Sequence, residues 1–238
     1  MEQLPELFRA VGDRFAENEE LLCDMDSKMG DGDLGLTMKK GFGALPEIIQ
    51  NLDEEDFAKK IRKAGMEMTD VIPSTMGMLM GTGVSYGGKE MAGKTELDAE
   101  GLVLFLEGYA AGIIKRGKCS RGDRTVLDAI GQAADDARKV LADDPQATLE
   151  RVCQAALEGA KKGVEATKDM VPKYGKAAVH ANVAKGVADQ GATAGMILVQ
   201  GLAGCAILAV VLGGLFAADK LAYRLEVWQD YLAYNTAR

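Results

Sequence analysis

The sequence predicts an all-α protein, an antiparallel up-and-down bundle of eight helices followed by a C-terminal helical extension. Apolar residues recur with the three- and four-residue spacing of one helical face along most of the 238-residue chain. No run alternates between apolar and polar residues for long enough to indicate a strand, and aromatic residues make up only 5%. The segments between the periodic stretches are short, which favours antiparallel neighbours.

Each helix is predicted from its own periodic segment. In the first segment the apolar face consists of Leu4, Leu7, Phe8, Val11 and Phe15. Asp53 is a candidate N-cap for the third helix. The predicted helices are 4–28, 35–51, 54–72, 77–92, 98–116, 125–142, 147–169 and 191–217, and a polar tail at roughly 219–235 forms one more. We therefore expect one domain over residues 1–217 and a helical tail over 218–238.

The net charge and the small numbers of cysteine and histidine residues exclude several classes of protein. The chain has 28 basic and 36 acidic residues, a net charge of −8, whereas a nucleic-acid binder needs a basic stripe. The four cysteines are far apart and His180 is the single histidine, so neither a zinc site nor a disulfide framework is expected. The acidic N-terminus is unlike a signal peptide, which favours a cytoplasmic protein.

One apolar stretch has an alternative interpretation as a membrane span. Residues 196–217 are apolar except for Gln200, and the stretch exceeds the ~18 residues of a candidate membrane span. A helix that is apolar all round also suits the centre of a bundle. Glycines at 201, 204, 213 and 214 would permit close helix packing in either setting. We expect burial or cover by a partner rather than a membrane span.

The most specific chemical pattern is the acidic segment from Asp26 to Met38. Asp26, Asp31 and Asp33 are separated by glycines, and a glycine-rich turn lets several carboxylates converge. Three converging carboxylates repel one another without a cation, and Mg²⁺ prefers oxygen ligands. The alternative interpretation is a helix end followed by an acidic, capped turn.

Two further segments carry hydroxyl, glycine and arginine groups that suit phosphate. The segment Ser74–Gly83 offers backbone N–H groups and the hydroxyls of Ser74 and Thr75, although it is not a Walker A motif. The segment Arg121–Asp128 contains two arginines, and Asp123 is a candidate N-cap for the helix that follows. The alternatives are a helix cap with tight packing in the first case, and a capped helix start with solvated arginines in the second.

The last polar segment runs from Lys173 to Thr193. Lys176 could serve as a phosphate cation, and Gly191 is expected to open the last helix. His180, between them, is interpreted as a surface or packing residue.

Taken in order, five short motifs resemble the ADP-binding L subunit of dihydroxyacetone kinases, which also forms the C-terminal half of single-chain dihydroxyacetone kinases. The motifs are Asp26–Met38, Ser74–Gly83, Gly122–Asp128, Gly175–Ala177 and Asp189–Thr193. The resemblance spans about residues 4–215. It implies an eight-helix antiparallel barrel with the nucleotide bound at one end.

The resemblance also implies roles for individual residues. Asp26, Asp31 and Asp33 would hold two Mg²⁺ ions that bridge the phosphates of ADP or ATP, and Lys176 would lie near the transferred phosphoryl group. The residues implied in nucleotide binding are Thr37, Met38, Ser74, Thr75, Met76, Gly77, Gly122, Arg124, Thr125, Val126, Asp189 and Gly191. Phosphoryl transfer depends on positioning and charge neutralisation, so a catalytic histidine is not required.

The partner implied by the resemblance is a separate K subunit that binds dihydroxyacetone or a four-carbon ketose. A phosphocarrier of the phosphotransferase system and a homodimer are further partner predictions. This chain departs from the family pattern at five positions: Leu34, Thr37, Met76, Lys176 and Gln190. The departures leave the donor and the sugar open. The alternatives are a fatty-acid-kinase-like subunit and a nucleotide-bound regulatory or docking module.

Overall fold

A computed structural model of the chain describes residues 4–179 and 184–213, with side chains through residue 204. Within these ranges all regular structure is helical and no strand occurs, which confirms the all-α prediction. The elements are α1 (Leu4–Glu17), α2 (Glu19–Ser27), α3 (Leu34–Asn51), α4 (Phe57–Val71), α5 (Thr75–Glu90), α6 (Ala99–Gly117), α7 (Val126–Asp143), α8 (Leu149–Ala166), a 3-10 turn (Thr167–Asp169), α9 (Gly175–Val179) and α10 (Gln190–Gly213).

Helices that follow one another in the chain pack side by side. Contacts join α3 to α4, α4 to α5, α5 to α6, α6 to α7 and α7 to α8, while α1 packs against α3. The short connections place these neighbours antiparallel. The last helix lies against α7 and α1, because Gly195 approaches Val126 and Ile130 of α7 and Gly201 approaches Val11 of α1.

Aromatic side chains from three helices meet in the core. Phe15 of α1 stacks on Phe42 of α3 with ring centroids 4.5 Å apart, and Phe8 of α1 meets Phe105 of α6 edge-on at 6.5 Å. Tyr109 of α6 is fully buried. Through this core α1 packs against α3 and α6. The polar loops connect the ends of the helices.

The apolar stretch near the C-terminus is buried as far as its side chains are described. The buried residues are Ile197, Leu198, Val199, Leu202 and Ala203, which confirms the predicted burial over this part. A Cβ on Gly201 would lie 2.5 Å from the Cα of Val11, so only glycine permits this approach. At Gly204 no atom of the described residues beyond its chain neighbours lies within 4 Å of the position that a Cβ would take. No helix among the described residues is long and apolar enough to cross a bilayer.

Part of that stretch lies beyond what the structure describes. The first compact unit of the chain ends at Ala206 and the second begins at Ile207. The side chains of residues 205–217 and the predicted tail at 218–238 are outside the described part. The division into a domain over 1–217 and a tail stays a prediction.

Several predicted helix bounds are wrong. The single helix predicted over 4–28 is two helices that meet at Asn18, whose amide donates to the carbonyl of Arg14. The N-cap of α4 is Asp56 rather than Asp53, because the Asp56 carboxylate accepts from the Lys59 N–H at 2.8 Å. The segment 173–193, expected to be a loop, contains α9.

Candidate functional site

The acidic segment folds back on itself between α2 and α3. Asp26 is buried near the end of α2, and its Oδ2 accepts from the backbone N–H groups of Gly32 at 2.8 Å and Asp33 at 3.2 Å. Gly32 has φ of +77°, a conformation that glycine adopts without strain. The carbonyl of Asp33 accepts from the Thr37 N–H at the start of α3. Local backbone geometry thus brings the carboxylates together.

The three carboxylates form one cluster. One oxygen from each of Asp26, Asp31 and Asp33 lies within 4.8 Å of the others. Asp26 is buried, whereas Asp31 and Asp33 are exposed. The sequence prediction that these carboxylates converge is confirmed, and a set of converging carboxylate oxygens is the donor chemistry that Mg²⁺ prefers.

Lys176 is the cation that faces this cluster. Its Nζ lies 2.5 Å from Oδ2 of Asp31, and both side chains are more than half exposed. The hydrogen bond to Lys176 lowers the pKa of Asp31. The same bond raises the pKa of Lys176, and the charges of Asp26 and Asp33 add to the effect. A lysine that stays protonated here places a positive charge beside three carboxylates.

The helix that carries Lys176 packs on the acidic segment. Ala177 of α9 is buried in a small core of its own with Met29 and Ala184, and Val187 packs against it. Met29 lies between Asp26 and Asp31 in the sequence. The apolar contact therefore holds α9 against the loop that supplies the carboxylates.

The N-terminus of α5 is built as a capped helix start. Ser74 is the N-cap, and its Oγ accepts from the Gly77 N–H at 3.0 Å. A Cβ on Gly77 would lie 2.2 Å from the carbonyl oxygen of Ile72, and Ile72 in turn contacts Gly41 of α3. The positive end of the α5 dipole thus lies beside α3, where it favours an anion.

The loop between α6 and α7 is organised by carboxylates. Oδ1 of Asp128 accepts from the Gly122 N–H at 2.5 Å, and its Oδ2 accepts from the Thr125 N–H at 2.7 Å. The Thr125 hydroxyl accepts from Leu127 N–H at 3.2 Å, so Thr125 is the N-cap of α7. The prediction that Asp123 is the N-cap is wrong. Asp123 is buried and accepts from the Ser120 N–H instead.

Arg124 is buried, contrary to the interpretation of solvated arginines. Its side chain is 3% exposed, its φ is +61°, and its Nη2 donates to the Val187 carbonyl at 2.9 Å. Its Nε and Nη1 are buried without a hydrogen-bond partner among the described residues. Arg121 instead pairs on the surface with Asp135 at 3.0 Å.

Asp189 caps the last helix from inside the protein. Its Oδ1 accepts from the Ala192 N–H at 2.8 Å, and its own N–H donates to the Thr167 hydroxyl. Burial raises the pKa of Asp189 to about 6, although the Ala192 N–H and the charge of Arg124 act in the opposite direction. Asp189 and Arg124 therefore form a buried, charged neighbourhood at the α10 N-terminus.

Three of the predicted motifs meet beside Asp189. A Cβ on Gly191 would lie 3.4 Å from the backbone nitrogen of Val126 and 3.6 Å from Cε of Met76. The structure thus brings together residues from the Ser74–Gly83, Gly122–Asp128 and Asp189–Thr193 motifs. α10 begins at Gln190, one residue earlier than predicted.

Not every predicted residue faces this region. Met38 is fully buried in the main core, so its side chain contributes packing. His180 lies outside the described residues. Lys173, Tyr174 and Thr167 had no predicted role, although each contacts a motif residue or the loop that carries one. No local sequence pattern signals these contacts, because the partners are 22 to 56 positions apart.

A model of the DAK2 domain matches residues 28–204, which is more than half of the chain. The chain belongs to the DAK2 domain family. The family membership confirms the resemblance carried by the five motifs, since the matched range contains four of them whole and most of the first.

Characterised relatives of this DAK2 domain chain are named as kinases or kinase subunits. The ADP-binding subunit DhaL of PEP-dependent dihydroxyacetone kinase 1 from Listeria innocua is 36% identical over 117 residues, 49% of this chain and 59% of that protein. The DhaL subunit of Escherichia coli is 27% identical over 192 residues, 81% of this chain and 90% of that protein. D-erythrulose kinase of Mycolicibacterium smegmatis is 27% identical over 203 residues, but the chain spans only 35% of it.

The fold is similar to that of about one third of a solved dihydroxyacetone kinase chain. The structure of the C. freundii enzyme in complex with AMP-PNP and Mg²⁺ matches with a TM-score of 0.62 at 24% identity. The match covers 86% of this chain and 34% of that one. This likeness confirms the predicted helical architecture.

Proposed function

We propose that this DAK2 domain chain is the nucleotide-binding phosphotransfer subunit of a dihydroxyacetone-kinase-like enzyme. The observation that carries the proposal is the convergence of Asp26, Asp31 and Asp33 with Lys176 facing them. Two relatives are named as ADP-binding subunits of dihydroxyacetone kinases, which supports the same function.

The carboxylate cluster fits Mg²⁺ by its donor chemistry. It offers three carboxylates, of which two are exposed, and Asp26 is already oriented by two backbone N–H groups. Asp26, Asp31 and Asp33 would hold the metal, and two Mg²⁺ ions are our prediction. The metal supplies neutralisation of phosphate charge, which phosphoryl transfer requires.

The remaining motif residues would hold the nucleotide. Thr37 and the α5 N-terminus from Ser74 to Gly77, with Thr75 and Met76, suit the phosphates because a helix N-terminus attracts anions. The Gly122–Val126 segment, Asp189 and Gly191 would lie on the adenine and ribose side. Gly191, Val126 and Met76 are neighbours, which supports one continuous binding region.

The donor, the acceptor and the compartment are parts of the proposal. The donor is Mg-ATP, or ADP held as a cofactor that a phosphocarrier rephosphorylates; the names of the DhaL relatives include PEP dependence. The acceptor is a small ketose, dihydroxyacetone or a four-carbon relative, and one relative is named a D-erythrulose kinase. We propose a cytoplasmic location.

The ketose would be held on a separate K subunit. Exposed apolar side chains occur at the start of α3, in α9 and in the segment just before α9, which are the elements that supply the acidic cluster and Lys176: Leu36, Val171, Tyr174 and Val179. Exposed apolar groups belong to interaction surfaces where they form a contiguous patch. A homodimer stays a prediction.

The test is thermal unfolding of the purified chain with ADP, with and without Mg²⁺. A ligand at 100 times its Kd stabilises a protein by about 2.7 kcal/mol, which raises the Tm by several degrees. We expect an Mg²⁺-dependent rise in wild type that Asp31→Asn loses. Asp24→Asn is the matched control, because Asp24 lies on α2, seven residues before Asp31, and pairs with Lys28 outside the cluster.

Each outcome has a direct meaning. A rise in wild type and Asp24→Asn but not in Asp31→Asn supports the metal-dependent nucleotide site. No rise in nucleotide-free wild type would overturn the proposal. Binding without phosphotransfer when a K subunit and a ketose are added would favour the regulatory or docking module instead.

A further inference from the structure

The segment that carries Lys176 is fixed to a loop on the other side of the candidate site. Lys173 Nζ pairs with Oδ1 of Asp123, and the Lys173 N–H donates to the Asp123 carbonyl at 3.3 Å. Tyr174 donates its hydroxyl to the Lys118 carbonyl at 2.9 Å. Two consecutive residues therefore attach the start of α9 to the loop between α6 and α7.

The Lys173–Asp123 pair differs from an ordinary surface ion pair. The Lys173 side chain is 63% exposed, but that of Asp123 is only 5% exposed. The other oxygen of Asp123 accepts from the Ser120 N–H at 2.7 Å, so the carboxylate is held in place. Lys173 lowers the pKa of Asp123, and Asp123 raises that of Lys173. Removing the lysine would leave a buried carboxylate without its counterion, which is unfavourable.

The chain between Lys173 and Lys176 is short and turns sharply. Gly175 has φ of +66°, and no atom of the described residues beyond its chain neighbours lies within 4 Å of the position that a Cβ would take, so the turn is explained by the backbone freedom of glycine. Past this turn, Lys176 reaches Asp31 and Ala177 packs beside Met29. Because Lys176 follows Lys173 by only three residues, a displacement of Lys173 would also displace Lys176.

We infer that Lys173, through Asp123, is a positioning residue that holds Lys176 over the acidic cluster. The inference rests on the proposed function and deepens it. The loop between α6 and α7, which we propose lies beside the adenine, is connected through the Lys173–Asp123 pair to Lys176, which we propose contacts the phosphates. Lys173 touches neither the carboxylates nor a substrate in this arrangement, and it acts through Lys176.

A double-mutant cycle on nucleotide affinity tests the inference. The Kd of Mg-ATP is measured by calorimetry for wild type, Lys173→Met, Lys176→Met and the double variant. Loss of a residue that orients a metal ligand typically lowers metal affinity or activity about 10- to 100-fold, which sets the scale for a residue that orients Lys176. We expect Lys173→Met to weaken Mg-ATP binding about tenfold and to have no further effect in the Lys176→Met background, because the two act as one unit. Lys173→Arg should restore most of the affinity.

Two readouts separate positioning from general destabilisation. AMP lacks the phosphates that Lys176 would meet, so its affinity should be unchanged in Lys173→Met. Hydrogen exchange of the backbone at 174–179 should become faster in Lys173→Met. Lys168→Met is the matched control, because Lys168 lies five residues before Lys173 and pairs with Glu165 on the surface. It should change neither the affinity for Mg-ATP nor the exchange rates at 174–179.

The outcomes distinguish the two proposals. If Lys173→Met behaves like Lys168→Met, the contact between Ala177 and Met29 suffices to place Lys176 and the inference fails. An effect of Lys173→Met that persists in full without Lys176 also overturns it. If wild type does not bind Mg-ATP, the proposed function fails, and the exchange rates still decide whether Lys173 holds the segment.

Discussion

The two sides of the candidate site place their charges in opposite environments. On one side, Asp31 and Lys176 pair with 60% and 58% of their side chains exposed. On the other, Arg124 and Asp189 are 3% and 5% exposed, and Asp189 has its pKa raised to about 6. Exposed charges contribute little to stability and remain available to a ligand, whereas buried charges are strongly coupled to the fold. We expect mutations on the first side to alter binding and those on the second to alter stability.

The largest expected effect is on the buried side. Arg124→Met removes the donor to the Val187 carbonyl and a positive charge near Asp189. A hydrogen bond from a charged group contributes about 1.5–3 kcal/mol, and Asp189 also loses a favourable charge interaction, so the midpoint of urea unfolding should fall steeply. Arg121→Met is the control, because Arg121 pairs on the surface with Asp135. Equal losses in the two variants would contradict the contrast between the two sides.

The second effect depends on pH. Since the pKa of Asp189 is raised from 3.8 to about 6, the folded state holds a proton that the unfolded state has released between these values. This contribution is therefore fully present below about pH 4 and is lost as the pH rises through 6, by an amount on the order of 3 kcal/mol.

Asp189→Asn isolates that contribution. Asparagine retains an oxygen to cap Ala192 but carries no charge. The difference in unfolding free energy between pH 4.5 and 7.5 should shrink in Asp189→Asn and remain in Asp24→Asn, a variant of an exposed aspartate. An unchanged difference in Asp189→Asn would mean that Asp189 does not titrate as its burial indicates.

The smallest effect on stability is expected on the exposed side. Lys176→Met should leave the Tm near that of wild type, because its ion pair with Asp31 is exposed. Hydrogen bonds to charged groups contribute about 1.5–3 kcal/mol, so Mg-ATP affinity should fall about tenfold or more. Calorimetry and a melting curve on the same sample check both parts. A large fall in Tm with unchanged Mg-ATP affinity would contradict the expectation that the exposed side of the site determines binding rather than stability.

Most of the fold and the centre of the site follow from local sequence pattern. Periodic apolar residues predict the helices, and the Asp26–Asp33 spacing predicts a cluster that the turn at Gly32 closes. Such features involve neighbours in sequence, whose geometry is set by backbone preferences. The break at Asn18 was missed because the apolar spacing continues across it into α2.

Contacts between distant segments could not be predicted in the same way. Asp123 and Thr125 are both common N-caps, and only the structure shows that Thr125 caps α7 while Asp123 binds Lys173. The burial of Arg124 depends on the Val187 carbonyl, 63 positions away. One sequence carries no record of which loops meet, so these residues required the three-dimensional arrangement.

The small core around Ala177 has a consequence for motion. Met29, Ala177 and Ala184 are separate from the main core, so the Lys176 segment can detach without disturbing Phe8 or Tyr109. Units with few apolar contacts open at a lower free energy than the whole protein unfolds. We therefore expect the α9 segment to open locally at a lower free energy than the helices of the main core, so that a ligand at the acidic cluster would exchange without unfolding of the helical bundle.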